Sequence, residues 1–334
     1  MSRETVLSLL LAHPGEYLSG AAMSRTLGVS RAAVWKAIEA LRQEGYEITS
    51  APNRGYRLES APDRVREGEL SGHLAGCLVG SRLLCLDTID STNTEAKRQA
   101  MAGAPEGLVV LAEEQTGGRG RLGRSFQSPR GCGLYLTALL RPQLPPIEVV
   151  DFTAWVAVAV CDGIQAACGV RPRIKWTNDI YVGDRKLVGI LIDHNHAGAS
   201  LSRTIAGIGI NVNQTAFDPA LPNPVSLAQA GGRKFNRSRL LETFLVRCLR
   251  RYAQLERGEK ETLQHAYRER MYRLGEQHPY RLPDGTLFQA AIEGVLPSGE
   301  LILRHADGTR HEYLFREIEF VIAGKQENAG PAEK

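Results

Sequence analysis

The sequence predicts an α+β fold in three consecutive parts, and three observations support it. Residues 1–62 carry apolar positions at helical spacing and end in two short alternating runs. Residues 63–276 mix strand-like and helix-like runs without regular βαβ alternation, which favours a mixed or antiparallel sheet over a doubly wound one. Residues 277–325 hold short apolar runs between turn triplets such as Pro283-Asp284-Gly285, a pattern typical of a small β-barrel. We expect residues 326–334 to form a disordered tail.

Composition indicates a globular protein. The chain has 334 residues, of which 43% are hydrophobic and 23% charged, with a net charge of +4. These values exclude a disordered or fibrous chain, and the small positive surplus does not by itself indicate nucleic acid. The longest clean apolar run, Ala154 to Cys161, is far shorter than a membrane span of about 20 residues, so we expect a cytoplasmic protein. The six cysteines form no CxxC pair, which favours reduced thiols over disulfides or a zinc site.

The first part predicts a helix-turn-helix followed by a β hairpin. Apolar residues three and four apart predict a helix over residues 3–12. Ser19 begins a second helix, and Ser30 is a good N-cap for a third. The turn residues 52–55 lie between two alternating runs, as in a hairpin.

The third predicted helix presents polar and aromatic side chains opposite its apolar face. Residues 24–57 hold six Lys/Arg against three Glu, whereas residues 1–63 as a whole are neutral. In a helix-turn-helix this helix contacts base edges, and cations on the hairpin can hold phosphates. The candidate DNA-binding residues are Ser30, Arg31, Trp35, Lys36, Arg54 and Arg57. A small helical interaction domain is the alternative.

The central part predicts strands that surround one buried helix. Apolar runs predict strands over residues 83–86, 108–112, 133–140 and 205–212, and a hairpin over residues 180–192. The spacing of apolar residues from Phe152 to Cys168 predicts the buried helix.

A glycine- and arginine-rich loop follows the second of these strands. Gly118-Arg119-Gly120-Arg121-Leu122-Gly123 matches GxGxxG, but residues 125–129 (SFQSP) cannot form the helix that a dinucleotide-binding loop requires. Glycine lets the backbone approach a ligand closely, and guanidinium groups match phosphate geometry. The loop therefore predicts a phosphate or adenylate clamp that closes over substrate. A solvated basic loop is the alternative, although it would not need such dense glycine.

Other segments predict one shared pocket. Lys186 begins an otherwise apolar strand, and glycines interrupt this strand at Gly189 and another at Gly207 and Gly209. Glycine in a strand usually marks a bulge or a close approach. The run from Ser91 to Asn93 either caps a helix or binds a polar ligand at its N-terminus.

Three further features are given structural interpretations. His194-Asn195-His196 is expected in a polar loop without a third metal ligand nearby. Cys132 has no neighbouring histidine that would activate it as a nucleophile. Residues 247–273 predict a solvated helix pair between domains.

Taken together, these motifs resemble the bifunctional biotin–protein ligase and biotin-operon repressor family over nearly the whole chain. The recognition helix, Ser30-Arg31-Ala32-Ala33 with Lys36, resembles that of the repressor members. The catalytic markers are Ser91-Thr92-Asn93, Gln115, Gly118-Arg119-Gly120-Arg121-x-Gly123-Arg124, Lys175-Trp176-x-Asn178-Asp179, Arg185-Lys186-Leu187-x-Gly189-Ile190-Leu191 and Gly207-x-Gly209-Ile210-Asn211. Leu122 stands where some members carry a basic residue and Thr177 where some carry proline, with no evident effect on the chemistry.

The resemblance implies a fold and a reaction. It implies a winged helix in residues 1–62, a ligase domain related to class II synthetases in residues 63–276, and an SH3-like β domain in residues 277–325. It also implies that the protein uses ATP and Mg²⁺ to convert biotin to biotinyl-5′-adenylate. Biotin then passes to a lysine of a biotin carboxyl carrier protein.

The resemblance also implies roles for individual residues. The biotin-binding positions are Ser91, Thr92, Asn93, Gln115, Arg119, Gly120, Arg121 and Lys186. The ATP or adenylate positions are Arg121, Arg124, Lys175, Asn178 and Asn211. Lys186 and Arg121 would be catalytic by neutralising the two anions that react. Asp179 is the candidate Mg²⁺ ligand.

Regulation is implied as well. Adenylate would favour a homodimer that places two winged helices on one operator DNA. Three alternatives stay open: a lipoate-type ligase on the same fold, a regulator that only senses ligand, and a ligase whose DNA-binding part is vestigial.

Overall fold

The computed structural model describes residues 3–65, 78–142, 149–197 and 200–322. The chain divides into two compact units, Met1–Gly72 and His73–Lys334.

Over residues 3–65, the first unit contains three helices and a two-stranded antiparallel hairpin. They are α1 (Arg3–Leu11), α2 (Gly20–Leu27), α3 (Arg31–Gln43), β1 (Glu47–Ala51) and β2 (Gly55–Ser60). The hydroxyls of Ser19 and Ser30 each accept a backbone hydrogen bond and cap the second and third helices, as predicted. Gly28, at φ 65°, ends the second helix in the left-handed conformation. The predicted helix-turn-helix with a hairpin is confirmed.

The second unit is built on a seven-stranded mixed sheet. Its strands are β3 (Arg82–Ile89), β4 (Leu108–Gln115), β5 (Gly133–Leu140), β6 (Arg173–Lys175), β7 (Asp179–Val182), β8 (Arg185–Ala197) and β9 (Ser200–Asn211), in the order β3-β4-β5-β9-β8-β7-β6. Strands β3 and β4 are parallel and every other neighbouring pair is antiparallel. The observed mixed sheet therefore agrees with the fold class that the sequence predicted.

Among the described residues of this unit, five α-helices accompany the sheet. They are α4 (Thr92–Met101), α5 (Val149–Cys168), α6 (Leu227–Gly231), α7 (Arg237–Glu256) and α8 (Lys260–Glu269). Helix α4 packs on the sheet through Ala96 and Ala100, which brings its first turn to the ends of strands β3 and β4. This position supplies the polar residues of the site described below.

Helix α5 is the core helix of this unit. Its segment Val150–Cys168 is long and apolar enough to span a membrane, but 67% of that window is buried inside the protein. It packs against α7 and α8, and Asp162 accepts hydrogen bonds from Arg251 of α7 and from Arg270, which directly follows α8. The predicted helix pair is present, but it packs on the core, so the prediction that it is solvated was wrong.

The C-terminal part forms a five-stranded antiparallel sheet. Its strands are β10 (Gln277–Arg281), β11 (Leu287–Val295), β12 (Leu301–His305), β13 (Arg310–Tyr313) and β14 (Glu319–Phe320), in the order β13-β12-β11-β10-β14. Trp176 Nε1 donates a hydrogen bond to Gly299 O between β11 and β12, at 3.0 Å, which joins this sheet to the central one.

Two smaller expectations can be compared with the structure. The histidine motif lies on β8 and not in a polar loop, because His194 Nδ1 bonds Thr204 Oγ1 across the sheet (3.0 Å) and its ring packs edge-on against Phe152. Within the described residues, no group of three potential metal ligands is found. The five cysteines of the described residues are free.

Candidate active site and DNA-binding surface

One cavity of about 610 Å³ lies between the central sheet, the glycine-rich loop and the C-terminal sheet. Every residue predicted for biotin, ATP or metal lines it: Ser91, Thr92, Asn93, Gln115, Arg119, Gly120, Arg121, Arg124, Lys175, Asn178, Asp179, Lys186 and Asn211. A larger cleft, of about 1020 Å³, contains only Arg121 and Asn178 from this set. The smaller cavity is therefore the candidate site.

The first turn of α4 forms one polar wall of the cavity. The Ser91 side chain makes no capping hydrogen bond. Gln115 Oε1 accepts from Thr92 N (2.8 Å) and Thr92 Oγ1 (3.0 Å), while Thr137 Oγ1 lies 2.6 Å from Asn93 Oδ1. Asn93 Nδ2 is buried without a partner among the described residues. Because a buried donor normally has an acceptor, this atom favours the binding interpretation over the capping one.

The strand glycines are needed because side chains lie directly on them. A Cβ atom at Gly207 would meet Asn93 Oδ1 at 2.0 Å, and one at Gly209 would meet the Phe126 ring at 2.5 Å. The same ring would lie 3.1 Å from a Cβ at Gly189. The predicted close approach is real, but in this structure Phe126 and Asn93 occupy the space beside these glycines.

The glycine- and arginine-rich loop forms an ordered turn. Residues Arg121–Gly123 make one 3₁₀ turn, and Gly120 N donates to Arg124 O at 2.7 Å across its base. The backbone of Gly118 passes so close to Phe126 O that a Cβ would lie 2.3 Å from it. Arg119 and Arg124 are exposed at the cavity mouth, whereas the turn brings Arg121 inward.

Arg121 is bound by the segment that follows β6. Its Nη1 donates to Thr177 Oγ1 (2.6 Å) and Asn178 Oδ1 (2.9 Å), and the Thr177 hydroxyl donates to the same Asn178 oxygen (2.7 Å). Partial burial lowers the pKa of Arg121 from its ordinary value, and the nearby Asp179 carboxylate opposes that shift. Thr177 was expected to have no evident effect on the chemistry; the structure adds that its hydroxyl accepts a hydrogen bond from Arg121.

Lys186 lies opposite, at the start of strand β8. Its Nζ forms an ion pair with Asp179 Oδ1 at 2.7 Å, and both side chains are partly exposed to the cavity. Its backbone N donates to Asn223 O (2.7 Å), and its backbone O accepts from Val225 N (2.9 Å). The Lys186 ammonium group therefore belongs to the first residues of a strand whose backbone is hydrogen-bonded to Asn223 and Val225. Its partner in this structure is the Asp179 carboxylate.

The remaining predicted residues differ in their burial and in the contacts of their side chains. Asn178 is buried and donates from Nδ2 to Ile190 O at 2.6 Å. Asn211 is also buried and bonds Val225 O and Gln214. Lys175 Nζ lies 4.4 Å from the centre of the Phe320 ring. Asn178 and Asn211 are therefore mainly structural parts of the cavity wall, whereas Lys175 contributes a positive charge to the cavity.

Sequence reasoning missed several residues of this cavity. Phe126 could have been found, since it is an aromatic residue three positions after the glycine-rich loop. Phe315 and Arg316 also line the cavity, from the turn between β13 and β14. No local pattern indicates them, because they lie far along the chain from every other site residue.

The first unit presents the predicted DNA-binding residues on its surface. Ser30, Arg31 and Lys36 are exposed on α3, and Trp35 is 53% exposed. On the hairpin, the guanidinium groups of Arg54 and Arg57 lie 4.3 and 4.7 Å from the centre of the Tyr17 ring. Tyr17 therefore gathers the two hairpin cations, which sequence reasoning did not foresee.

The hairpin is joined to the helices by a backbone bridge. Leu18 and Tyr56 exchange two hydrogen bonds, of 2.8 and 2.9 Å. A Cβ at Gly55, where φ is 104°, would lie 2.1 Å from Leu18 O, so this position requires glycine. The hairpin that carries these arginines is thereby joined to the segment between α1 and α2.

Both units of the chain match families of known proteins. Residues 85–211 match the Biotin/lipoate A/B protein ligase family, and residues 2–57 match an HTH domain. The bifunctional ligase/repressor BirA of Bacillus spizizenii is 35% identical over 316 residues, covering 93% of this chain and 96% of that protein. The chain belongs to the bifunctional ligase/repressor family.

Other members extend the comparison. BirA of Escherichia coli is 33% identical over 260 residues, covering 77% of this chain and 78% of that protein. The biotin protein ligase from Aquifex aeolicus, solved in complex with biotin and ATP, has a TM-score of 0.60 at 24% identity and covers 73% of this chain and 100% of that one. The ligase fold is therefore shared with that enzyme.

Proposed function

We propose that this chain is a biotin–protein ligase and a biotin-responsive repressor. The observation that carries the ligase proposal is the one cavity lined by all the residues predicted for biotin and ATP. The relatives named bifunctional ligase/repressor support both activities, because they match the chain from its DNA-binding unit through its catalytic unit. A lipoate-type ligase is the second candidate, since the matched family includes lipoate ligases.

In the first step a biotin carboxylate oxygen bonds to the α-phosphorus of ATP. The bond between that phosphorus and the bridging oxygen breaks, and pyrophosphate leaves. Two anions must meet, so fixed positive charge at the reacting centre is the main contribution the protein can make. Lys186 and Arg121 supply this charge, and their bonds to Asp179 and to Thr177 hold them at the wall beforehand.

The polar wall on α4 would orient biotin. The free donor Asn93 Nδ2 suits an acceptor oxygen such as that of a ureido group. Ser91 and Thr92 add hydroxyls beside it. Because Gln115 is bonded to both Thr92 and Ser128, these groups are held before the ligand arrives.

Mg²⁺ would enter with ATP. Among the described residues, two carboxylates line the cavity, Asp179 and Glu319, and Asp179 is at present paired with Lys186. Mg²⁺ usually takes one or two carboxylates together with substrate phosphates. Asp179 is the residue that would hold it, and the ion would neutralise phosphate charge.

In the second step the amine of a carrier-protein lysine attacks the acyl carbon of the adenylate. The amide bond forms, the bond to the phosphate oxygen breaks, and AMP leaves. Water would compete for the same carbon, so the loop from Gly118 to Arg124 protects the intermediate by covering the cavity mouth. We propose a biotin carboxyl carrier protein as the acceptor and the cytoplasm as the location.

Repression follows from the same intermediate. Adenylate would favour a homodimer, and the dimer would place two copies of α3 on one operator. Carrier protein that consumes the adenylate would relieve repression.

The test of activation is exchange of labelled pyrophosphate into ATP. The proposal predicts exchange that requires biotin and Mg²⁺. Biotin binding without any exchange would instead support a regulator that only senses ligand, and exchange that depends on lipoate would support the second candidate.

Removing the cations of α3 should separate the two activities. Arg31→Ala with Lys36→Ala should weaken DNA binding at least about tenfold, because each contact to a base or phosphate is worth about 1–3 kcal/mol. Pyrophosphate exchange should not change, since both residues lie in the other unit. DNA binding is measured on duplexes that the wild-type protein selects from a random pool in the presence of biotin and MgATP.

The matched control is Lys234→Ala with Arg239→Ala, which removes two exposed cations from the catalytic unit. It should leave DNA binding unchanged. Full DNA affinity in the α3 variant would leave the first unit without its proposed role.

A further inference from the structure

The C-terminal sheet places aromatic rings on two cations of the catalytic cavity. The Phe315 ring centre lies 3.8 Å from the Arg121 guanidinium carbon, and the Phe320 ring centre lies 4.4 Å from Lys175 Nζ. Both distances are well inside the range of about 6 Å within which a ring attracts a cation. The two phenylalanines come from one short segment, the β13–β14 turn and strand β14.

The first of these cations, Arg121, has both hydrogen bonds and a ring contact at its guanidinium group. Thr177 Oγ1 and Asn178 Oδ1 accept from one nitrogen of the guanidinium, while Phe315 lies over its carbon. Trp176 meets the same ring, with centroids 6.2 Å apart at an angle of 62°. The guanidinium is therefore held by hydrogen bonds from the central domain and by a ring from the C-terminal sheet.

The turn that carries Phe315 has a defined backbone conformation and a closing hydrogen bond. Arg316, next to Phe315, has φ 81°, a conformation that residues other than glycine rarely adopt. Leu314 N donates to Glu317 Oε2 at 2.7 Å, which closes the turn. The turn presents Phe315 to the cavity, where its ring lies over Arg121, although 39% of that residue is exposed.

We infer that Phe315 is a positioning residue for Arg121, so that the C-terminal sheet sets the geometry of the cation that binds the nucleotide. This inference rests on the proposed function. A guanidinium restrained on both sides loses less freedom when it binds an anion, so the contact should favour the bound adenylate. Removing the ring should then weaken binding of ATP and adenylate more than it slows the chemical step.

The test compares Phe315→Leu, which keeps bulk but loses the ring face, with Phe315→Tyr, which keeps both. Phe315→Leu should raise KM for ATP and the release rate of biotinyl-adenylate about fivefold, with kcat changed less than twofold. Phe315→Tyr should restore wild-type values. Leu314→Ala, which removes an exposed side chain of the same turn, is the matched control and should have no effect.

A double-mutant comparison separates positioning from general packing. In the Arg121→Gly background, Phe315→Leu should have no further effect on adenylate release, because its partner is gone. An equal fivefold effect in both backgrounds would overturn the inference.

A ligand-free measurement keeps this test separate from the proposed function. The Arg121 side-chain NH signal, assigned with Arg121→Gly, should show a ring-current shift that Phe315→Leu removes. A shift that persists in Phe315→Leu would overturn the inference even if the ligase activity is established. A wild-type protein that shows this shift but forms no biotinyl-adenylate would overturn the proposed function instead.

Discussion

Replacing Lys186 with alanine should reduce biotin-dependent pyrophosphate exchange by about 10²–10³-fold, the usual effect of removing one fixed charge from a reacting centre. Lys186 Nζ is held beside Asp179 at 2.7 Å, at the start of a strand pinned by Asn223 and Val225. Without the ammonium group, Arg121 alone of the two proposed cations would offset the repulsion between the biotin carboxylate and the α-phosphate. Exchange of labelled pyrophosphate into ATP at saturating biotin measures the effect.

The variant should still fold. The ion pair with Asp179 is partly exposed, and such pairs contribute about 1 kcal/mol or less to the free energy of unfolding. Asp179→Asn breaks the same ion pair and keeps the ammonium group, so it is the matched comparison for folding only, since Asp179 is also the proposed Mg²⁺ ligand. If Lys186→Ala exchanged pyrophosphate at the wild-type rate, the electrostatic role of Lys186 would be refuted.

Arg121→Gly should let the adenylate escape from the cavity. Arg121 is half-buried and bonded to Thr177 and Asn178, so the adenylate phosphate would meet a cation that is already in place. A hydrogen bond to a charged group contributes about 1.5–3 kcal/mol, so we expect release of adenylate to become roughly 10–100 times faster. Free adenylate would acylate lysines on a bystander protein such as serum albumin, which labelled biotin detects.

Arg130→Gly is the control for this experiment. Arg130 is an exposed arginine that follows the glycine-rich loop, but it pairs with Glu114 on the surface and does not line the cavity. Its loss should not label albumin. An Arg121→Gly protein that retained its adenylate as tightly as the wild type would contradict the role assigned to the loop.

Local signals in the sequence predicted local structure well. Ser19 and Ser30 cap their helices because capping depends on bonds to residues two or three positions away. The strand glycines predicted a close approach, since glycine inside a strand leaves room that a neighbouring group can fill. The histidine motif was misplaced because polar residues in a row resemble a loop, whereas His194 gains a cross-strand partner that the sequence does not reveal.

Contacts between distant segments were not predictable. Arg121 and Thr177 are 56 residues apart, and nothing near Thr177 indicates that its hydroxyl binds an arginine. Phe315 comes from a different sheet, and its ring reaches Arg121 only because that sheet docks on the central domain through Trp176 and Gly299. Most residues of the cavity could be identified from sequence motifs. The hydrogen bonds and ring contacts between them could be identified only from the folded structure.

The most direct test of this account is transfer of labelled biotin, with MgATP, to a purified biotin carboxyl carrier domain, with labelled lipoate and a lipoyl domain run in parallel. The account predicts labelling of one carrier lysine by biotin and no transfer of lipoate. Transfer of lipoate, or biotin binding without any transfer, would contradict it.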